Sequence, residues 1–203
     1  MPLIPPPFLF RFSIPVRELQ KIPLSGKKTK DEFALNLPPD CSLPDFAEFE
    51  QRKSFGDLRL AWNKNGLGFS VQVAGKKEAV RSKPENPWES DSLHLWIDTR
   101  NTQTIHRASR FCHHFVAIPT PGGKKKASAV VQQLQIPRAR EESALADPDQ
   151  LLGRCEPTKD GYLLEVWLPA ESLHGFDPDS NSKLGFYYYL RDSELGEQYL
   201  SVN

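Results

Sequence analysis

The segment Pro87-Trp-Glu-Ser-Asp91-Ser-Leu-His94-Leu-Trp96-Ile-Asp98-Thr-Arg100-Asn101 holds the densest set of side chains able to bind a ligand. Trp88 precedes an alternating apolar run, in a loop position where an indole can offer its flat face. Sugar rings present apolar C–H faces that stack on such rings, and neighbouring Asp, Glu, Arg and Asn side chains bind the hydroxyls. The alternative is that Trp88 covers the edge of a core. Asp91, Asp98 and Asp192 fall at the ends of apparent strands, where carboxylate and carbonyl oxygens suit calcium. The alternative for Asp91 and Asp98 is turn capping, or pairing with Arg100 or Arg110. Glu165, in the middle of an apolar run, needs a basic partner if it is buried, and Arg191 or Arg110 can serve.

A second constellation is His106-Arg107-Ala-Ser-Arg110-Phe-Cys112-His113-His114. Histidine and thiolate suit zinc, and three or four such ligands make a site. On a strand, however, His113 and His114 point to opposite faces, so only one of them can join Cys112 or His106 in a cluster. An alternative is a polar pocket in which His106, Arg107, Arg110, His113 and His94 lie beside Trp88 and recognise a carboxylate or phosphate. No Gly-x-Ser-x-Gly, P-loop or Gly-x-Gly-x-x-Gly motif occurs, and Cys112 and His113 splay apart on a strand rather than forming a nucleophile pair.

Strands must position these groups. Leu58, Leu60 and Trp62 alternate, Asn63-Lys-Asn65-Gly66 supplies a turn, and Phe69, Val71 and Val73 alternate back, which is a hairpin signature. Leu93, Leu95 and Ile97 share one face of a strand whose other face carries His94, Trp96 and Asp98. Arg110 to Ile118 is apolar on both faces, as in a central strand. Further strands are read at Phe8 to Phe12, Val130 to Ile136, Tyr162 to Leu168, Phe186 to Leu190 and Tyr199 to Val202. Helix is confined to one turn at Pro169 to Gly175 and a short piece within Arg138 to Leu152. Ser25 to Lys30, Gly75 to Pro87 and Pro119 to Ser128 read as loops, and the loop lysines 124 to 126 as a solvated run. The 18 prolines oppose helix, and Pro15, Pro87, Pro119, Pro137 and Pro169 each fall at a strand boundary. About eight strands with short links predict an all-β fold, a single antiparallel jelly-roll-like β-sandwich with at most one or two helical turns.

Bulk properties narrow the function classes. A chain of 203 residues fits one domain, and 26 basic against 26 acidic side chains generate no field to draw nucleic acid or an anionic membrane. Three cysteines at scattered spacings give no disulfide framework, the proline-broken N-terminus does not resemble a secretory signal, and no run of about 18 apolar residues occurs. The expectation is a reduced, cytoplasmic protein.

Trp88-x-x-Asp91-Ser92, the alternating strand, then Ile97-Asp98 with Arg100-Asn101 resemble the central motif of family 9 carbohydrate-binding modules and the related DOMON-type sandwiches. Gly161-Tyr162-Leu-Leu-Glu165-Val-Trp-Leu168-Pro169 with Leu173, and Leu184-Gly185-Phe186 running to Arg191-Asp192, are similar to that family's later strands. The resemblance covers about residues 57–202, with residues 1–56 as an N-terminal strand and loop extension. It implies that Trp88 is one wall of a sugar-stacking slot and that His94 stands where the family commonly has a hydroxyl-binding Glu. For the second wall, which the family places near the C-terminus, Tyr199 is the candidate. Some DOMON-type domains hold haem, but Met1 is the sole methionine, which disfavours Met/His ligation.

The expectation is therefore a non-catalytic domain that binds a saccharide in a groove of Trp88, Asp91, His94, Trp96, Arg110, His113 and Tyr199. Calcium at Asp91, Asp98 and Asp192 is the one candidate cofactor. The alternatives are a metal-binding protein or metal-dependent enzyme using His106, Cys112, His113 and His114, or a structural sandwich with a protein partner.

Overall fold

The computed structural model describes residues 12–25, 33–47, 51–104, 106–120 and 128–200. The expectations for Phe8, Phe10, Lys124 to Lys126 and Val202 lie outside the described residues.

Among the described residues twelve strands follow one another: β1 (Arg17–Glu18), β2 (Leu24–Ser25), β3 (Phe33–Ala34), β4 (Gly56–Asn63), β5 (Gly66–Ala74), β6 (Ser92–Asp98), β7 (Cys112–Thr120), β8 (Ser128–Leu134), β9 (Leu152–Thr158), β10 (Gly161–Pro169), β11 (Gly185–Asp192) and β12 (Gly196–Tyr199). The described residues contain no α-helix; 3-10 turns lie at Pro39–Cys41, Pro87–Glu89 and Ala170–Ser172. Among them no helix is long and apolar enough to cross a membrane.

Ten strands form one sheet in the order β1-β4-β5-β10-β9-β8-β7-β6-β11-β12, antiparallel throughout except where β1 runs parallel to β4. The sheet folds over on itself into a β-sandwich. Leu58, Phe69, Val71, Leu164 and Val166 of one half meet Leu93, Leu95, Phe115, Tyr188 and Leu190 of the other in a single buried core. Phe69 of β5 stacks across the core on Phe186 of β11, with ring centroids 5.8 Å apart. Gln198 of β12 joins the two margins: its Oε1 accepts from Phe55 N (3.1 Å) and Gly56 N (3.0 Å), and its Nε2 donates to Gly56 O (2.7 Å). One side chain thereby satisfies backbone groups that a strand edge leaves open.

The β4–β5 hairpin turns at Lys64-Asn65, with Asn63 opposite Gly66. Gly66 is required there, since a Cβ would stand 2.2 Å from the Leu168 carbonyl oxygen and its φ is +149°. The predicted strands at Val130 to Ile136 and Tyr162 to Leu168 correspond to β8 and β10. Within Arg138 to Leu152, where a short helix is expected, residues 138–151 form turns, bends and irregular chain without helix, and Leu152 opens β9.

The two outer faces of the sandwich differ. On the first, Ile22, Phe33, Leu35, Leu37 and Cys41 bury Ala61 and Trp167, so the N-terminal segment covers β4 and β10. Glu165 is buried beneath it and accepts from Leu35 N and Asn36 N, both at 3.0 Å. Its basic partner is Arg154 of β9, at 3.2 Å, rather than Arg191 or Arg110. The second outer face, on β6, β7 and β11, carries the aromatic residues described next.

Candidate ligand-binding site

Cross-strand register places Trp96 of β6 between Tyr187 of β11 and His114 of β7, and His94 opposite Tyr189. Alternation turns all five side chains to the same outer face. They form a continuous aromatic layer. Trp96 stacks on His114 with centroids 4.2 Å apart and planes inclined by 11°, and Tyr187 stands 5.6 Å from Trp96. His94 Nδ1 lies 3.0 Å from His114 Nε2, a buried hydrogen bond between two imidazoles.

Burial sets the charge of this layer. Desolvation, helped by the neighbouring His114, holds His94 down at about 3, and desolvation holds His114 at about 4. Both rings are neutral at physiological pH, so the layer is apolar and uncharged.

Trp88 lies on top. Its indole stacks on His94 at 4.2 Å and 22°, with Trp96 and Tyr189 each 6.4 Å away. Although one face of the ring is covered by His94, the residue remains 51% exposed. Trp88 is thus an indole held from below by a buried imidazole and open above. Polar groups stand at its margin: Tyr189 OH donates to Glu197 at 2.6 Å, Arg191 reaches the same carboxylate at 3.3 Å, and Lys83 pairs with Glu89 at 2.6 Å.

The loop that carries Trp88 is fastened at several points. Asn86-Pro87 opens the 3-10 turn Pro87–Glu89, Ser90 Oγ accepts from Lys83 N (2.8 Å), and Ser92 Oγ donates to Pro87 O (3.1 Å). Asp91 accepts from Arg81 N (2.9 Å) through Oδ2 and from Ser193 N (2.7 Å) through Oδ1. Lys76 Nζ sits between Asp91 Oδ2 (3.1 Å) and Asp192 Oδ1 (2.9 Å).

This arrangement corrects several expectations. Asp91, Asp98 and Asp192 do not converge on a calcium ion: the cation between Asp91 and Asp192 is the Lys76 ammonium. Asp98, at the other end of β6, accepts from Arg100 N (3.0 Å) and Thr102 N (2.6 Å), capping a turn. Asp91 is fully buried and engaged, so it fastens the Trp88 loop instead of meeting a ligand. His113 faces the core side of β7, opposite Ile97, and contacts Gln133 Nε2 (3.2 Å) and His174 O (3.3 Å). Arg110 precedes β7, with its guanidinium over Phe111 (5.1 Å) and 3.9 Å from Glu141.

His106 is exposed in the loop before β7, and Cys112 opens that strand; no three His, Cys, Asp or Glu side chains gather as a metal site among the described residues. The imagined pocket of His106, Arg107, Arg110, His113 and His94 is likewise not assembled, since His113 and His94 face opposite sides of the sheet. Of the seven ligand-binding candidates, Trp88, His94 and Trp96 come together. Tyr199 pairs with Tyr189 in register, one strand further out, and the Arg52 guanidinium lies 4.3 Å over its ring.

His114, Tyr187 and Tyr189 complete the layer; the sequence pointed to His114 only as a metal-ligand candidate and did not single out the two tyrosines. The signal for the tyrosines lay in the alternation of β11, where Phe186, Tyr188 and Leu190 take the core side.

No family model matches the chain, and no curated protein matches it. Among solved structures, it is similar to a carbohydrate binding module family 9 (CBM9) from Caldicellulosiruptor kristjanssonii in complex with cellotriose, at 16% sequence identity and a TM-score of 0.43. The match covers 71% of this chain and 62% of that module's own length.

Proposed function

We propose that the protein is a non-catalytic binding domain whose ligand is a saccharide, held on the open aromatic layer. The observation that carries this reading is Trp88, whose upper face is exposed while its lower face is braced on buried, neutral His94. A sugar ring stacks its C–H face on the indole, with Trp96 and Tyr189 extending the apolar floor. Glu197, Arg191 and Tyr189 OH supply donors and acceptors for hydroxyls at the margin. The resemblance of Trp88-x-x-Asp91-Ser92 to the sugar-binding motif points the same way.

The slot implied by that resemblance becomes a platform in this reading. His94, expected to bind a hydroxyl directly, lies under the indole and orients it. A panel of mono- and oligosaccharides, cello-oligosaccharides included, tests the reading through intrinsic tryptophan fluorescence. Stacking on Trp88 shifts the emission with a saturable dependence on ligand. A panel without any saturable change removes the saccharide from the account.

A further inference from the structure

Lys76, Asp91 and Asp192 are sealed from solvent, with side-chain exposures of 2%, 0% and 0%, and Lys76 Nζ touches both carboxylates at 3.1 and 2.9 Å. Two carboxylates against one ammonium leave a buried excess of one negative charge, a costly state. Two further atoms stand out. Asp192 Oδ2 and the Tyr162 hydroxyl are both buried without a hydrogen-bond partner, and Tyr162 lies in the field of both aspartates. Asp192 Oδ1, by contrast, is held by the backbone N–H groups of Glu194 and Leu195, each at 2.9 Å.

We propose that this cluster is a modification site in which Lys76 Nζ and Asp192 Cγ condense into an intramolecular amide. The parts needed are present: an amine donor against a carboxyl group, a second carboxylate to move protons, and a pair of backbone donors on the oxygen that becomes anionic.

The steps balance without any co-reactant. Asp91 takes one proton from the Lys76 ammonium and passes it to Asp192 Oδ2, leaving a neutral amine and a neutral carboxylic acid. The amine attacks Cγ, forming the C–N bond, and the charge moves to Oδ1, where the Glu194 and Leu195 N–H groups stabilise it. Asp91 removes a second proton from the nitrogen and delivers it to the Oδ2 hydroxyl. The Cγ–Oδ2 bond breaks, one water leaves, and the carbonyl to Oδ1 re-forms. Asp91 ends as it began.

Condensation is unfavourable between free groups in water, but the fold holds the Lys76 nitrogen 2.9 Å from the Asp192 carboxyl oxygen and buries both side chains. Such positioning is worth an effective concentration of about 10⁵ M or more. The product also removes the ammonium and one carboxylate together. The new amide N–H takes over as donor to Asp91 Oδ2, and Asp91 keeps Arg81 N on Oδ2 and Ser193 N on Oδ1.

The test is the intact mass of the full chain under denaturing conditions, followed by peptide mapping. The expected result is that nearly all molecules are lighter than the sequence by one water, with the Lys76 and Asp192 peptides joined. Lys76→Arg and Asp91→Asn chains carry their full mass, and Asp192→Asn, which releases ammonia instead of water, reaches the same cross-linked mass as the parent. A parent chain at full mass, or a lost water that maps elsewhere, overturns the proposal. A cross-linked Asp91→Asn chain overturns the assignment of Asp91 as proton carrier.

Discussion

His94 Nδ1 and His114 Nε2 face each other at 3.0 Å in the dry layer beneath Trp88. One nitrogen must donate and the other accept, so the contact fails once both carry protons. The ligand platform and the charge state of two histidines are thereby coupled through a single hydrogen bond.

Stability should fall as pH drops below neutrality. His94 and His114 are held at about 3 and about 4 in the folded chain, below the ordinary histidine value of about 6.5. Between those values the unfolded chain binds more protons than the folded one, so stability rises with pH across the window and is lost as pH falls through it. Each histidine contributes a slope of about 1.4 kcal/mol per pH unit at most. Thermal melts from pH 7.5 to 4.5 check this, and a His94→Gln, His114→Gln chain should show a flatter profile. An unchanged slope in that variant contradicts the coupling.

Removing Trp88 uncovers His94. In Trp88→Ala the desolvation that depresses His94 is relieved, and its titration should move up toward the ordinary value, as read from imidazole proton shifts by NMR. A His94 midpoint that stays where it was would place the burial elsewhere.

Lys76→Met removes the nitrogen that joins Asp91 and Asp192, as ammonium before condensation and as amide after it, and leaves two carboxylates buried together. Stranding buried charge in this way costs about 3–5 kcal/mol, and the loop at residues 77–91 loses its anchor. The melting temperature should drop steeply, whereas Lys83→Met, at the exposed pair with Glu89, should change it little.

Glu165→Ala orphans the Leu35 and Asn36 amides and removes one of the two carboxylates that Arg154 meets, Glu156 remaining. A loss of about 2 kcal/mol is expected, and hydrogen exchange should accelerate at Leu35 and Asn36 before the core strands respond. Protection unchanged at those amides would mean that Glu165 does not hold the covering segment.

The alternation of apolar residues made β4, β5, β6, β10 and β11 legible, because each places large side chains on the core face, and a run apolar on both faces marked β7. β9 was hidden. Its core-side positions are Gly153, where a Cβ would meet Val131 Cγ2 at 2.5 Å, and Cys155, so the period-two signal has almost no amplitude. The partner of Glu165 was missed with it, since Arg154 stands on the same strand. Trp88, His94 and Trp96 were readable because loop and strand adjoin in sequence. His114 was not, because its place beneath Trp88 depends on the β6–β7 register. The aspartates misled for a related reason: strand ends attract both calcium ligands and turn caps, and only the fold brings Lys76 to Asp91 and Asp192.

The central claim is that Trp88, braced by His94, is the ligand platform. Isothermal titration of the parent and Trp88→Ala chains with the saccharide that most shifts the parent's fluorescence tests it most directly. The account predicts binding by the parent and a loss of at least tenfold in the variant, about 1.4 kcal/mol or more, with the core transition retained. Equal affinity in the two chains, or no binding heat from the parent, would contradict it.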